Sequence, residues 1–194
     1  VAKQAAEVAI LSNNRLRLGV GTGWNKIEYE ALNEDFASRG ARQSEQIEVM
    51  RALWSQDVVD FHGKYHRIDQ AGLNPRPSQP VPLWFGGSAP ALVRRCARLG
   101  DGWIPLMGPS AAAAEIIGEL QRQRAELGKN WADFSILAQA QYAGGTPERW
   151  RGHAGKWQAL GATHMAIATH NAGVTDVDGH LARTEAYFKA VQDV

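Results

Sequence analysis

The sequence predicts an α/β fold built on a mostly parallel sheet. Helix-like and strand-like patterns alternate along most of the 194 residues. Two apolar runs, Arg15–Trp24 (RLRLGVGTGW) and Val81–Pro105 (VPLWFGGSAPALVRRCARLGDGWIP), lead into glycines. The second run holds a strand, a glycine turn, a helix and the next strand, one short βα repeat. Parallel α/β proteins place ligands at such strand ends, where glycine, lacking Cβ, lets the backbone come close.

The elements follow in order. Val1–Ser12 has helical spacing, with Val1, Ala5, Val8 and Ile10 or Leu11 near one face. No N-cap precedes it, so the chain starts inside an element, which implies missing N-terminal sequence. Arg17–Gly21 reads as a strand, and the acidic stretch after Trp24 as a loop. Arg39–Trp54 reads as a helix with Ile47, Met50, Leu53 and Trp54 on one face. Val58–Ile68 alternates around His62-Gly63, the pattern of a hairpin. Asp69–Pro82, with Pro75, Pro77, Pro80 and Pro82, reads as an extended linker. Residues 55–80 would thus be a hairpin and proline-rich insertion in a single domain spanning 1–194.

Val81–Phe85 is the next strand. Ser88 is the expected cap of the following helix, with Pro90 in its first turn and Gly100 at its end. Gly102–Leu106 reads as a strand. Ser110 should cap a helix over Ala111–Leu127 that Gly128 terminates. Phe134–Tyr142 is a strand, and Thr146-Pro147 opens a helix to Leu160 closed by Gly161. Thr163–Thr169 is the last strand and His180–Val191 the last helix. An open doubly wound sheet and a closed (β/α)8 barrel both fit this order. A barrel needs eight strands and typically about 250 residues, so as a barrel the chain lacks three βα repeats before Val1.

Composition narrows the function classes. At 44% hydrophobic and 21% charged the chain can bury a core. A net charge of +1 provides no electrostatic footprint for nucleic acid or an anionic membrane. Nothing reads as a transmembrane span or signal peptide, and the cytoplasm is the default location. The single cysteine, Cys96, excludes an internal disulfide and a cysteine-based zinc cluster, and reads as a packed helix residue.

Several residues carry candidate chemistry. Gly19, Gly21 and Gly23 form G-x-G-x-G, but Trp24 stands where a dinucleotide fingerprint needs its third glycine. A tight turn, or a strand end shaped for a flat ring or phosphate, remains. Gly86-Gly87-Ser88 ahead of a helix is either an anion site or a turn plus a cap. Glu28 and Glu30 could hold a ring N–H or a substrate, or be solvated. Arg39 and Arg42 lie near a helix start, either to reach a phosphate or simply at the surface. His62 and His66 flank the hairpin turn, a context that argues against a metal pair. His153 and His180 fall in helices and His164 at a strand start. His170 falls at a strand's C-terminal end, where barrel enzymes put catalytic groups.

Taken together, RLRLGVGTGWNKIEYEALN, IEVMRALW, FHGKYHRI, NPRP and VPLWFGGSAPALVRRCARLGDGW resemble the bacterial luciferase-like flavin oxidoreductases. They look closest to the branch that uses coenzyme F-420, a deazaflavin. The resemblance is specific from Val1 to Pro105 and architectural beyond. It implies a (β/α)8 TIM-type barrel of which this chain covers about the fourth to eighth βα units. It also implies cofactor binding near Gly21, Thr22, Gly23, Trp24, Gly86, Gly87, Ser88 and Trp103, with Glu28 at an acidic position and Arg42 on the phosphate side. Relatives that use flavin mononucleotide (FMN) often carry arginine at the position of Thr22, which favours the deazaflavin. The implied reaction moves a hydride between F-420 and a small organic substrate. The alternatives are a two-component monooxygenase using reduced FMN, and a non-catalytic flavin-binding or structural homologue. A small molecule is the expected partner, without nucleic acid or membrane, and homo-oligomerisation stays open. The resemblance places candidate acids and bases ahead of Val1 and names no catalytic residue here. An N-terminally incomplete chain is favoured over a short homologue completed by a partner.

Overall fold

A computed structural model describes residues 1–194. They form two compact units, Val1–Phe85 and Gly86–Val194.

The first unit opens with α1 (Ala2–Leu11), followed by β1 (Leu18–Val20), α2 (Lys26–Ala31) and α3 (Arg39–Ser55). A hairpin of β2 (Val59–His62) and β3 (Arg67–Ala71) then precedes β4 (Leu83–Gly86). β1 and β4 pair in parallel, with Leu18 opposite Leu83 and Val20 opposite Phe85. The hairpin stands between them in sequence as its own antiparallel pair. It confirms the expected hairpin but moves two boundaries. The turn spans residues 63–66, and β3 takes in Asp69–Ala71, the start of the expected linker.

The expected apolar face of α1 is corrected. Ala5, Ala6 and Ala9 are its buried residues, while Val8 is 48% and Leu11 87% exposed. An alanine face lets a neighbouring helix approach closely, and α1 meets α3. There the buried Trp54 donates its indole N–H to the Ala2 carbonyl (2.9 Å).

The hairpin is tied to α3 through one carboxylate. Glu45 accepts the backbone N–H groups of Lys64 (2.8 Å), Tyr65 (2.8 Å) and His66 (2.6 Å), and meets the His66 ring Nδ1 at 2.9 Å. Partial burial opposes ionisation, but the His66 ring and the three amides outweigh it and hold the Glu45 carboxyl below its ordinary value. A group lowered in this way stabilises the fold above its unfolded value and loses that contribution as pH falls through its folded value. The Lys64, Tyr65 and His66 amides should therefore titrate together in acid, below the ordinary carboxylate range, when followed by NMR. Glu45→Gln should abolish that shared transition. Independent titration of the three amides would show that the carboxylate does not hold them.

The second unit contains α4 (Pro90–Leu99), β5 (Gly102–Ile104), α5 (Ala111–Glu126), β6 (Ser135–Gln141), α6 (Pro147–Ala159), β7 (His164–Ala168) and α7 (Val177–Val191). β5, β6 and β7 are parallel and adjacent in chain order, as consecutive βα repeats require. α4 buries Leu92, Val93, Cys96, Ala97 and Leu99 and exposes Arg94 and Arg98. Cys96 is a buried free thiol, as expected of a packed helix residue. Ser110 and Thr146 cap α5 and α6 through their hydroxyls. Gly128 (φ 68°) and Gly161 (φ 84°) follow those helices in the left-handed conformation that glycine adopts without strain. α7 begins three residues before the expected His180, because Asp176 caps it by accepting the Gly179 N–H (2.8 Å). No helix of the chain is long and apolar enough to cross a membrane.

Candidate functional site

β1 ends at Val20, and the next three residues, Gly21, Thr22 and Gly23, form the wall of a cavity of about 350 Å³. α2 and α3 supply the rest. Glu28 and Tyr29 come from α2, and Arg39, Arg42 and Gln43 from α3. The cavity thus joins five of the expected residues, Gly21, Thr22, Gly23, Glu28 and Arg42.

The loop is held by side chains that sequence reasoning missed. Tyr29 donates its hydroxyl to the Thr22 carbonyl. Thr22 donates its own hydroxyl to Oε1 of the buried Gln43 (2.9 Å). Arg39 donates to the Gly23 carbonyl (3.3 Å) and lies over the Phe36 ring (3.6 Å). Backbone and side chain of the Thr22 segment are therefore both anchored, which fixes the approach of Gly21. A Cβ at Gly21 would find nothing within 4 Å, so this end of the strand is open.

α2 replaces the loop expected after Trp24. Asn25 accepts the Ile27 N–H (3.2 Å), and its amide donates to Glu28 (3.1 Å). The N-x-x-E spacing at Asn25–Glu28 is a capping-box signal that could have identified this helix. Glu28 spends one carboxylate oxygen on that cap. Trp24 is 87% exposed and does not line the cavity.

Charge in the cavity is balanced. Glu28 and Glu34 face Arg39 and Arg42, and Arg42 forms an ion pair with Glu34. The Arg42 side chain is only 15% exposed and lies in the cavity wall, not free at the surface. Arg76, in the proline-rich segment after the hairpin, pairs with Asp57 and donates to the Ser55 carbonyl (2.8 Å).

The Gly86–Ser88 segment begins the second unit. The Gly87 N–H donates to the Ile104 carbonyl (3.2 Å), and the fully buried Trp103 donates its indole N–H to the Gly87 carbonyl (2.7 Å). Both polar groups of Gly87 are thus used to strap the turn to β5. The expectation that Ser88 caps α4 is corrected. Ala89 is the N-cap residue, with no side-chain cap, and its carbonyl accepts the Leu92 (2.8 Å) and Val93 (3.0 Å) N–H groups. Proline at position 90 has no N–H to be capped, which removes one orphan donor of this turn.

The histidines are distributed. His62 pairs with Asp69 (2.6 Å) and His66 with Glu45. His153 donates to the Gln139 carbonyl (3.0 Å), and His180 meets the Thr169 hydroxyl (2.9 Å). His170 is exposed two residues beyond β7.

A second cavity, of about 560 Å³, was not foreseen. It opens beyond β5 and β6 and is bounded by Pro105–Gly108, the end of β6 and three residues of α6, Arg149, Trp150 and His153. The β5 ladder stops where Pro105 has no N–H to offer, while β6 runs on to Gln141.

Comparison with known proteins agrees with this architecture. The family model described as luciferase-like monooxygenase matches residues 1–191. An uncharacterized protein of Mycobacterium tuberculosis is 42% identical over 129 residues, 66% of this chain and 44% of its own. The F420-dependent glucose-6-phosphate dehydrogenase of Amycolatopsis mediterranei is 38% identical over 117 residues, 56% of this chain and 33% of its own. The F420-dependent hydroxymycolic acid dehydrogenase of Mycobacterium tuberculosis is 32% identical over 167 residues, 80% of this chain and 45% of its own. The chain thus spans less than half the length of these curated relatives. Among solved structures, an F420-dependent secondary alcohol dehydrogenase with an F420-acetone adduct superposes with a TM-score of 0.64 at 21% identity, over 98% of this chain and 66% of that one. The EDTA monooxygenase of Chelativorans gives a TM-score of 0.65 at 19% identity, over 82% and 43%. Those two likenesses are of fold: an α/β chain of the (β/α)8 type, covering about its fourth to eighth units. The chain belongs to the luciferase-like monooxygenase family.

Proposed function

We propose that this chain forms part of an oxidoreductase that moves a hydride between the deazaflavin F-420 and a small organic substrate. The observation that carries the reading is the anchored Gly21–Gly23 loop opening on a cavity that contains Arg39 and Arg42. The names of the F420-dependent relatives support it.

The residues present suit such a group. Gly21 has open space where a ring or tail must pass close to the backbone. Thr22 is small, and its side chain is turned onto Gln43 and away from a clamping role. A deazaflavin, when bound, supplies hydride transfer at its ring carbon 5 and forms no oxygen adduct there. This chain's part is binding and orientation. Tyr29 and Gln43 hold the loop, and Arg42 offers a planar fork to an anionic tail once it leaves Glu34.

The test is side-by-side titration of the chain with oxidised F-420 and with FMN, read by tryptophan fluorescence. Trp24, exposed next to Gly23, is the reporter beside this cavity. F-420 should quench saturably and bind more tightly than FMN. Binding of FMN without F-420 would overturn the choice and favour a monooxygenase that uses reduced FMN.

A further inference from the structure

Helix α3 serves two neighbours at once. Arg39, Arg42, Gln43 and Gln46 line the Gly21–Gly23 cavity, and Glu45, set among them, holds the β2–β3 hairpin. The Glu45 side chain is 13% exposed, and its carboxylate is engaged by three consecutive amides of the hairpin turn and by the His66 ring. The Gly63 N–H closes the same turn on the His66 carbonyl (2.9 Å). The fit leaves no room at position 63, where an added Cβ would overlap the Glu45 carboxyl and the Phe61 ring.

The hairpin itself buries little apolar surface. β2 and β3 form a sheet of their own, and Val59 is the only buried residue in either strand. A lone two-stranded hairpin is marginal in water, and segments with few buried apolar contacts open most readily. Its base is fixed, because Arg76 pairs with Asp57 and reaches the Ser55 carbonyl. Its tip depends on Glu45. A released Glu45 has one cation within helical reach. The residues three and four positions away on α3 are Ala41, Arg42, Glu48 and Val49, so Arg42 attracts the carboxylate and Glu48 repels it.

We propose that the β2–β3 hairpin is a strap that regulates the Gly21–Gly23 cavity through Glu45. Docked, it keeps the carboxylate among its turn amides. Lifted about its base, it yields that carboxylate to Arg42, where the charge competes with an anionic ligand as that of Glu34 does. One carboxylate with two alternative partners is the two-state element that couples the hairpin to the cavity. By linkage, an anion held by Arg42 favours the docked hairpin in the same measure. The regulatory meaning rests on the F-420 reading of the cavity; the transfer of Glu45 between its partners needs no cofactor.

The test compares Gly63→Ala, which displaces the Glu45 carboxyl sterically, with the double variant Gly63→Ala/Glu45→Gln, which has the same shape without the charge. In the ¹⁵N-labelled chain the Arg42 Nε–H signal, assigned by its loss in Arg42→Lys, should move in Gly63→Ala and return near its wild-type position in the double variant. The seven tryptophan indole signals should stay in place and report an intact fold. F-420 should bind Gly63→Ala about three- to fivefold more weakly than wild type, the range of one added ion-pair competitor, and the double variant should recover. Arg42→Gln, which removes the alternative partner of Glu45, should slow hydrogen exchange of the Lys64, Tyr65 and His66 amides about threefold without any ligand. That measurement decides the matter should Gly63→Ala disturb the indole signals. An unmoved Arg42 signal, a double variant that stays shifted, or unchanged amide exchange in Arg42→Gln would overturn the proposal. Equal F-420 affinity in wild type and Gly63→Ala would overturn the regulation. If the Arg42 signal responds and F-420 binds no variant, the deazaflavin reading alone fails. F-420 binding without that response sinks the strap alone.

Discussion

Gly87→Val should destabilise the chain by about 4 kcal/mol and lower its melting temperature by roughly 10 °C. Gly87 has φ +124°, a backbone conformation that side chains rarely adopt, and an added Cβ would sit 2.9 Å from Cδ1 of the buried Leu92. Strain and overpacking therefore act together, at the point where Trp103 and Ile104 hold the turn to β5. Loss of cofactor binding in this variant would report a damaged turn, whatever touches it. Gly86→Ala is the discriminating partner, because a Cβ there meets nothing within 4 Å. It should melt within a few degrees of wild type. Calorimetry on both variants checks the stabilities. F-420 binding by Gly86→Ala then separates the roles: a loss of tenfold or more means that the ligand approaches the backbone here. Unchanged binding means that the turn is structural. Ser88→Ala should stay within about 0.5 kcal/mol, since Ala89 and not Ser88 holds the cap position.

Arg42→Ala should weaken F-420 binding by about 10- to 100-fold, the range of one lost charge-assisted hydrogen bond. Glu34→Gln should act in the opposite direction. Arg42 is mostly buried and paired with Glu34, so an anionic tail must compete with that carboxylate for the guanidinium. Removing the competing charge should tighten binding several-fold and steepen its dependence on salt, because screening no longer weakens a competitor along with the attraction. Isothermal titration at two ionic strengths measures both effects. If Glu34→Gln weakens binding as much as Arg42→Ala, the ion pair is part of the bound state, and competition is the wrong description.

The family and the α/β class were legible in the sequence because they depend on local pattern. Apolar runs ending in glycine, caps at Ser110 and Thr146, and glycines at 128 and 161 act within a few residues of each other. The hairpin alternation around His62 belongs to the same kind of signal. Two misreadings came from local rules that a stronger neighbour overrode. Ser88 looked like a cap, but Pro90 moved the cap position to Ala89. The bulky face of α1 looked like the core face, but the alanine face allowed closer packing against α3. A third difference is α2, where Asn25 accepts the Ile27 N–H and its amide bonds Glu28, capping a helix of six residues with none of them buried.

By itself, the sequence determined the order of elements, the glycine-ended strands and the residue types near them. Tertiary structure decided which of those residues meet. Tyr29 and Gln43 carry no motif, yet they hold Thr22 because α2 and α3 bring them to the end of β1. Arg42 and Glu34 are eight residues apart, and their pairing depends on how α3 leaves the preceding turn. The unpartnered Trp150 indole was likewise invisible beforehand. Hydrogen-bond satisfaction belongs to a folded surrounding, and no spacing of residues along a chain encodes it.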